Sequence, residues 1–152
     1  MRLIDVLTPA RIRVPLASRD KGGILRELLE AALEGTNGPV LEDALQAVLE
    51  REAQFPTGIG YGVAVPHGKT ATLPDHKIAA GTVPDPVAYE TLDGQPVRLF
   101  FLLVGPESAA GSHVKLLSRI ARLVRREPFR DRLLKARSAE EFYRGVCEAE
   151  GL

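Results

Sequence analysis

Val97-Arg98-Leu99-Phe100-Phe101-Leu102-Leu103-Val104 is the stretch on which the fold turns. Every side chain in it is apolar except Arg98. A strand with one wet face alternates apolar and polar residues; a strand covered on both faces reads as a continuous apolar run. This run therefore predicts a central strand with helices on each side. It is far short of the roughly 20 apolar residues that a membrane span needs.

The flanking sequence supplies the other layers. Upstream, Ile78 to Val83 reads as a second strand, and Asp93-Gly94 marks a turn before Val97. Downstream of Gly105-Pro106 the period becomes helical. His113 to Arg126 carries Val114, Leu117, Ile120, Ala121 and Val124 on one stripe, and Ser112 is placed to cap it. Pro128 ends that helix and starts another, to about Ala136. Ser138 followed by Glu140 and Glu141 reads as the N-cap and acidic first turn of a last helix. Toward the N-terminus, Arg11 to Leu16 alternates like a strand, and Asp20 opens a helix to about Leu33. Gly35 and Gly38 bracket a loop. Leu41, Ala44, Leu45, Val48 and Leu49 then form the stripe of a helix from Leu41 to Glu52. Strands alternating with helices predict a mixed α/β layer fold.

The chain has 152 residues, which fits one domain, residues 1–152. Lys+Arg and Asp+Glu each number 20, so the formal net charge is zero. No whole-chain excess argues for nucleic acid or a solvating tail. Asp5 stands where a signal peptide would be apolar. Cys147 is the single cysteine, which excludes an internal disulfide and a cysteine-based metal cluster. A cytoplasmic protein is the expectation.

Pro56 to Gly68 carries four glycines in thirteen residues, around a short strand from Val63 to Val65. His67 follows directly. Pro66 stiffens its approach, and Gly68 is read as leaving room for a bulky partner beside the ring. A phosphorylated histidine needs one neutral, exposed nitrogen as nucleophile while the other is held by a hydrogen bond. A histidine at a strand end in such a loop meets that need, and a turn whose glycines serve only the chain path fits the spacing equally well. His113 sits at a predicted helix N-terminus, where unpaired N–H groups favour an anion and disfavour a cationic ring. Arg51 ends the preceding helix and offers a planar fork of donors suited to phosphate oxygens. His76, in a polar loop beside Pro74, is assigned to the surface. P-loop, dinucleotide, HExxH, CxxC and GxSxG patterns are absent.

Arg51-Glu52, Thr57-Gly58-Ile59-Gly60 and Gly62-Val63-Ala64-Val65-Pro66-His67-Gly68-Lys69 together resemble the signature of the fructose/mannitol-class enzyme IIA domain of the phosphotransferase system. That class includes the nitrogen-regulatory enzyme IIA proteins. The likeness extends to the 97–104 strand, Ser112-His113, Leu116-Leu117 and the ending Ser138-Ala139-Glu140-Glu141-Phe142. Pro56 and Tyr61 depart from the usual pattern. The resemblance implies a mixed central sheet flanked by helices. It implies that His67 takes phosphate from phospho-HPr and passes it to an enzyme IIB cysteine. His113 and Arg51 fall at positions that face the phosphoryl group, and Thr57, Gly68 and Ser112 are expected to support it. No metal or cofactor is expected, and any sugar permease would be another polypeptide. A phosphorylation-state regulator would use the same site as a transport carrier.

A second class of function has its own signal. From Lys115 to Arg144 there are ten Lys/Arg against four acids. A solvated helical face accounts for this, and so would a regulatory binding module that docks its C-terminal helices on an acidic partner or nucleic acid.

Overall fold

The computed structural model describes residues 1–36 and 38–152. Six strands form one sheet: β1 (Ile12–Arg13), β2 (Gly58–Gly60), β3 (Val63–Ala64), β4 (His67–Thr70), β5 (Lys77–Val87) and β6 (Val97–Pro106). Five helices accompany them: α1 (Lys21–Ala32), α2 (Gly38–Gln54), α3 (Ala110–Val124), α4 (Glu127–Leu134) and α5 (Ala139–Ala149). The order along the sheet is β1-β5-β6-β3-β2, with β4 also paired to β6.

The strand read from residues 97–104 is the central one. Phe100, Leu102 and Val104 face one core, with Ile24, Leu28 and Val48 of α1 and α2. Leu99, Phe101 and Leu103 face the other, with Leu116, Ile120, Leu133, Phe142 and Val146 of α3, α4 and α5. The period of two along a strand sends neighbours to opposite faces, so an unbroken apolar run fills both cores at once. β5 runs antiparallel to β6, Ile78 facing Leu103 and Thr82 facing Leu99. On its other edge β6 takes two short parallel strands in succession. β3 pairs Val63 with Leu99, and β4 pairs His67 with Leu103. Between them, Pro66 accepts from the Leu103 amide at 3.0 Å.

Several element ends differ from the sequence reading. The strand expected over Arg11–Leu16 is only two residues long, because Pro15 has no N–H for the ladder. Leu16 still donates to the Thr82 carbonyl at 2.8 Å, so the chain keeps following β5. Gly38 belongs to α2 rather than to a loop, and residue 37 beside it lies outside the described residues. Leu49, placed on the apolar stripe of that helix, is 42% exposed. Asp20 caps α1 through Gly23 N–H as expected, and Ser138 caps α5 through Glu141 N–H. α3 differs from the sequence expectation in both its start and its buried side. It begins at Ala110 with Ala109 at the N-cap, so Ser112 lies inside its first turn and does not cap it. Its inward stripe is His113, Leu116, Ile120, Leu123 and Val124; Val114 is 59% exposed. Apolar residues occur on more than one side of this helix, and only packing against β6 selects the buried side.

Phe101→Ala should lower unfolding free energy by about 3–5 kcal/mol, because its ring contacts Phe129 and Phe142 in the closed core. Leu49→Ala, on the wet side of α2, should change it by no more than about 0.5 kcal/mol. Urea denaturation of both variants measures the contrast.

Candidate functional site

His67 is the first residue of β4, just past the gap between the two parallel strands. Its Nδ1 lies 2.8 Å from the Val65 carbonyl oxygen. A carbonyl can only accept, so Nδ1 carries the proton and Nε2 keeps its lone pair. Burial is the main force lowering the pKa of this ring below the ordinary histidine value. The Val65 carbonyl opposes that shift, and the cations Arg51 and Lys69 reinforce it. His67 is thus a neutral imidazole near pH 7, with Nε2 free to react.

His113 packs beside it, ring centroids 5.8 Å apart. It is 3% exposed, and neither ring nitrogen has a hydrogen-bond partner among the described residues. Burial first, then the neighbouring His67, His76 and Lys69, push its pKa down to about 4. A pocket of about 550 Å³ opens onto both rings and is lined also by Arg51, Gln54, Lys69 and Glu107. Arg51 uses Nη1 to donate to the Phe55 carbonyl at 2.8 Å, and it pairs with no carboxylate among the described residues. A guanidinium has five N–H donors, so most remain for an anion in the pocket.

The other expected supporting residues have different duties. Gly68 lines the same pocket as His67, but the space its missing side chain leaves is filled by α2. A Cβ there would stand 2.9 Å from the Val48 amide nitrogen and 3.0 Å from the Ala47 carbonyl carbon. The glycine lets the backbone of α2 lie directly on β4, and this contact carries Arg51 to the pocket. Thr57 is buried, and its hydroxyl is already committed: it donates to Glu52 Oε2 at 2.6 Å and lies 2.8 Å from the Tyr89 hydroxyl. Burial would raise the Glu52 carboxyl, but bonds from Thr57, Tyr89 and Lys21 outweigh it and hold it ionised. Lys21 reaches the same carboxylate at 3.1 Å. Thr57 therefore anchors the end of α2, and it also lines a smaller cavity of about 190 Å³ with Arg51 and His67. Ser112 lines a separate pocket with Asp5, Arg11 and His76 and does not reach His67.

His76 is not on the surface. It is 7% exposed, its ring is 5.5 Å from that of His113, and its Nε2 has no partner. No sequence pattern marked it, because a non-local fold brings residue 76 to residue 113. Lys69 lies on the same face of β4 as His67, as the period of two along a strand requires.

Residues 5–148 match the sequence profile described as phosphoenolpyruvate-dependent sugar phosphotransferase system, EIIA 2. The chain belongs to this enzyme IIA family. It is 38% identical to a nitrogen regulatory protein of Bradyrhizobium diazoefficiens, over 94% of this chain and 93% of that one. It is 36% identical to the fructose-specific EIIABC component of Bacillus subtilis over 92% of this chain, but spans only 22% of that longer protein. In three dimensions it is similar to the nitrogen regulatory protein IIA-Ntr of Neisseria meningitidis, with a TM-score of 0.84 at 28% identity, covering 93% of this chain and 97% of that one. No described helix of this enzyme IIA domain is long and apolar enough to cross a membrane.

The basic C-terminal helices of the domain spend several of their charges internally. Arg119 pairs with Glu150 at 2.6 Å and Arg132 with Glu148 at 3.3 Å. Arg130 donates to the Val124 and Arg125 carbonyls and lies over the Tyr61 ring. Nothing in this arrangement favours a nucleic-acid or acidic-partner surface.

The neutral, buried histidines have a consequence for stability. The depressed pKa of His113 means that the unfolded chain binds more protons than the native one between about pH 6.5 and about 4. Stability should be full above pH 6.5 and fall as pH drops through that window. His113 alone accounts for about 3 kcal/mol, at 1.36 kcal/mol per unit. His67 and His76 shift in the same direction. Urea midpoints measured from pH 7.5 to 5 should decline in the wild type and decline less steeply in His113→Phe.

Proposed function

We propose that the chain is a phosphocarrier, accepting a phosphoryl group from phospho-HPr on Nε2 of His67 and handing it to a cysteine of an enzyme IIB or exposing it to a regulated protein. The observation that carries this reading is the His67 Nδ1 contact with the Val65 carbonyl, which leaves a neutral Nε2 facing a pocket with Arg51 and His113. Membership of the enzyme IIA family, whose domains transfer phosphoryl groups, supports it.

The chemistry follows from the positions. The Nε2 lone pair forms a bond to phosphorus in line as the donor's P–N bond breaks. Nδ1 keeps its proton throughout, shared with the Val65 carbonyl, so the phosphorylated ring is held as a protonated imidazole. A protonated imidazole is a good leaving group, which keeps the phosphoryl group transferable. Charge on the three equatorial oxygens is offset by Arg51 and Lys69. An N–H of His113 offers a further donor. The phosphoryl group brings about two negative charges to this surface near neutral pH, offset in part by the cationic ring, and this would serve a regulated partner as a signal as readily as an acceptor enzyme IIB.

Incubation with phosphoenolpyruvate, enzyme I and HPr should label the wild type and leave His67→Ala unlabelled; labelling of His67→Ala would overturn the site. Arg51→Ala should retain the acceptor but slow labelling by about 100-fold, as loss of a positioned charge does at such sites. Rapid-quench measurement of phosphoprotein formation separates the two effects.

A further inference from the structure

His76 plays no part in the reading above, yet it is the third member of a row of imidazoles. His67, His113 and His76 stand in sequence, with ring centroids 5.8 Å and 5.5 Å apart. His76 comes from the loop before β5, His113 from α3 and His67 from β4. The fold makes specific room for the third ring. A Cβ at Gly105 of β6 would lie 2.2 Å from His76 Cδ2 and 2.6 Å from Nε2, so any larger residue there would drive the imidazole out. A ring over a backbone in a buried niche is an unusual use of a histidine that only fills space, because its Nε2 is left without a partner.

Both nitrogens of His113 are also buried and unpartnered. A neutral imidazole has one donor and one acceptor. If the N–H of His113 is to meet an oxygen of a phosphoryl group on His67, its lone pair must lie on the far side of the ring. That far neighbour is His76. A neutral His76 protonated on Nε2 supplies the donor this lone pair needs, and their separation is one at which two imidazoles can be joined edge to edge by a small rotation. No extra charge is buried in the process, and the proton count is unchanged.

The geometry points to His76 as a positioning residue: seated on Gly105, it donates Nε2–H to His113 and thereby fixes the His113 tautomer whose N–H faces the phosphoryl group on His67. This rests on the phosphocarrier reading for its second half only. The choice of tautomer at His113 concerns the resting chain. Burial lowers the pKa of His76, opposed by Asp75, which keeps the ring in the neutral form that the arrangement requires.

Two readouts test it. In ¹⁵N-resolved NMR of the imidazole nitrogens near pH 7, His113 of the wild type should be a single neutral tautomer. In His76→Leu it should become a mixture, and phosphoryl transfer from phospho-HPr should slow by about 10- to 100-fold. His76→Gln, which retains an N–H donor, should restore much of both. A mixture of His113 tautomers in the wild type would overturn the assignment even if His76→Leu failed to fold. So would a folded His76→Leu that kept a single tautomer or the wild-type transfer rate. A wild type that shows the single tautomer, lost in His76→Leu, but takes no label from phospho-HPr would instead count against the phosphocarrier reading and leave the coupling of His76 to His113 standing.

Discussion

Burial of β6 on both faces is the constraint from which the other layers follow. Its side chains enter two cores, so a helical layer must close each face. Its two edges must also be paired. β5 occupies one edge as a long antiparallel partner, while the other is shared by β3 and β4 in turn. The hand-over between those short strands falls at Val65-Pro66. Proline cannot donate to the ladder, and the chain turns there enough for the Val65 carbonyl to face the His67 ring instead of a neighbouring strand. The His67 ring is thus oriented by a gap between two short strands on the edge of the central one.

The site around it sets stability against function. Burying imidazoles without hydrogen bonds costs free energy, and His113 has no partner for either nitrogen. Desolvation keeps these rings neutral where solvent would leave them partly protonated. A neutral ring is what a nucleophile at Nε2 requires, and neutral neighbours avoid competing for the same proton. The cations that complement phosphate, Arg51 and Lys69, stand at the pocket instead of in the core. α2 holds Arg51 there through two contacts of different kinds. One is the close approach to β4 at Gly68, and the other is the buried Glu52–Thr57–Tyr89–Lys21 network just beyond it. The motif residues Thr57 and Gly68 therefore help to hold α2, and Arg51 with it, against β4.

Much of this was legible in the chain itself. The unbroken run at 97–104 implied a doubly covered strand because side-chain alternation leaves no other way to bury both sets. Asp20 and Ser138 marked helix starts because capping is a local bond to an amide two or three residues ahead. His67 stood out because its loop and the Pro-His-Gly block lie within a short span, where resemblance to enzyme IIA is strong. Each of these features depends on neighbours close in sequence.

What only the tertiary structure decided depends on distant neighbours. The inward side of α3 is chosen by contact with β6, so Leu116 and Leu123 are buried while Val114 is not. Ser112 lost its capping role because the preceding turn runs straight into the helix at Ala110. Gly68 serves packing against Ala47 and Val48, about twenty residues earlier in the chain, and cannot be read from its place beside His67. His76 was assigned to solvent from its polar loop, yet Gly105 and His113 enclose it. Local patterns record which groups a residue can bond along the chain. Which groups it meets across the core is settled only when the strands pair and the helices close over them.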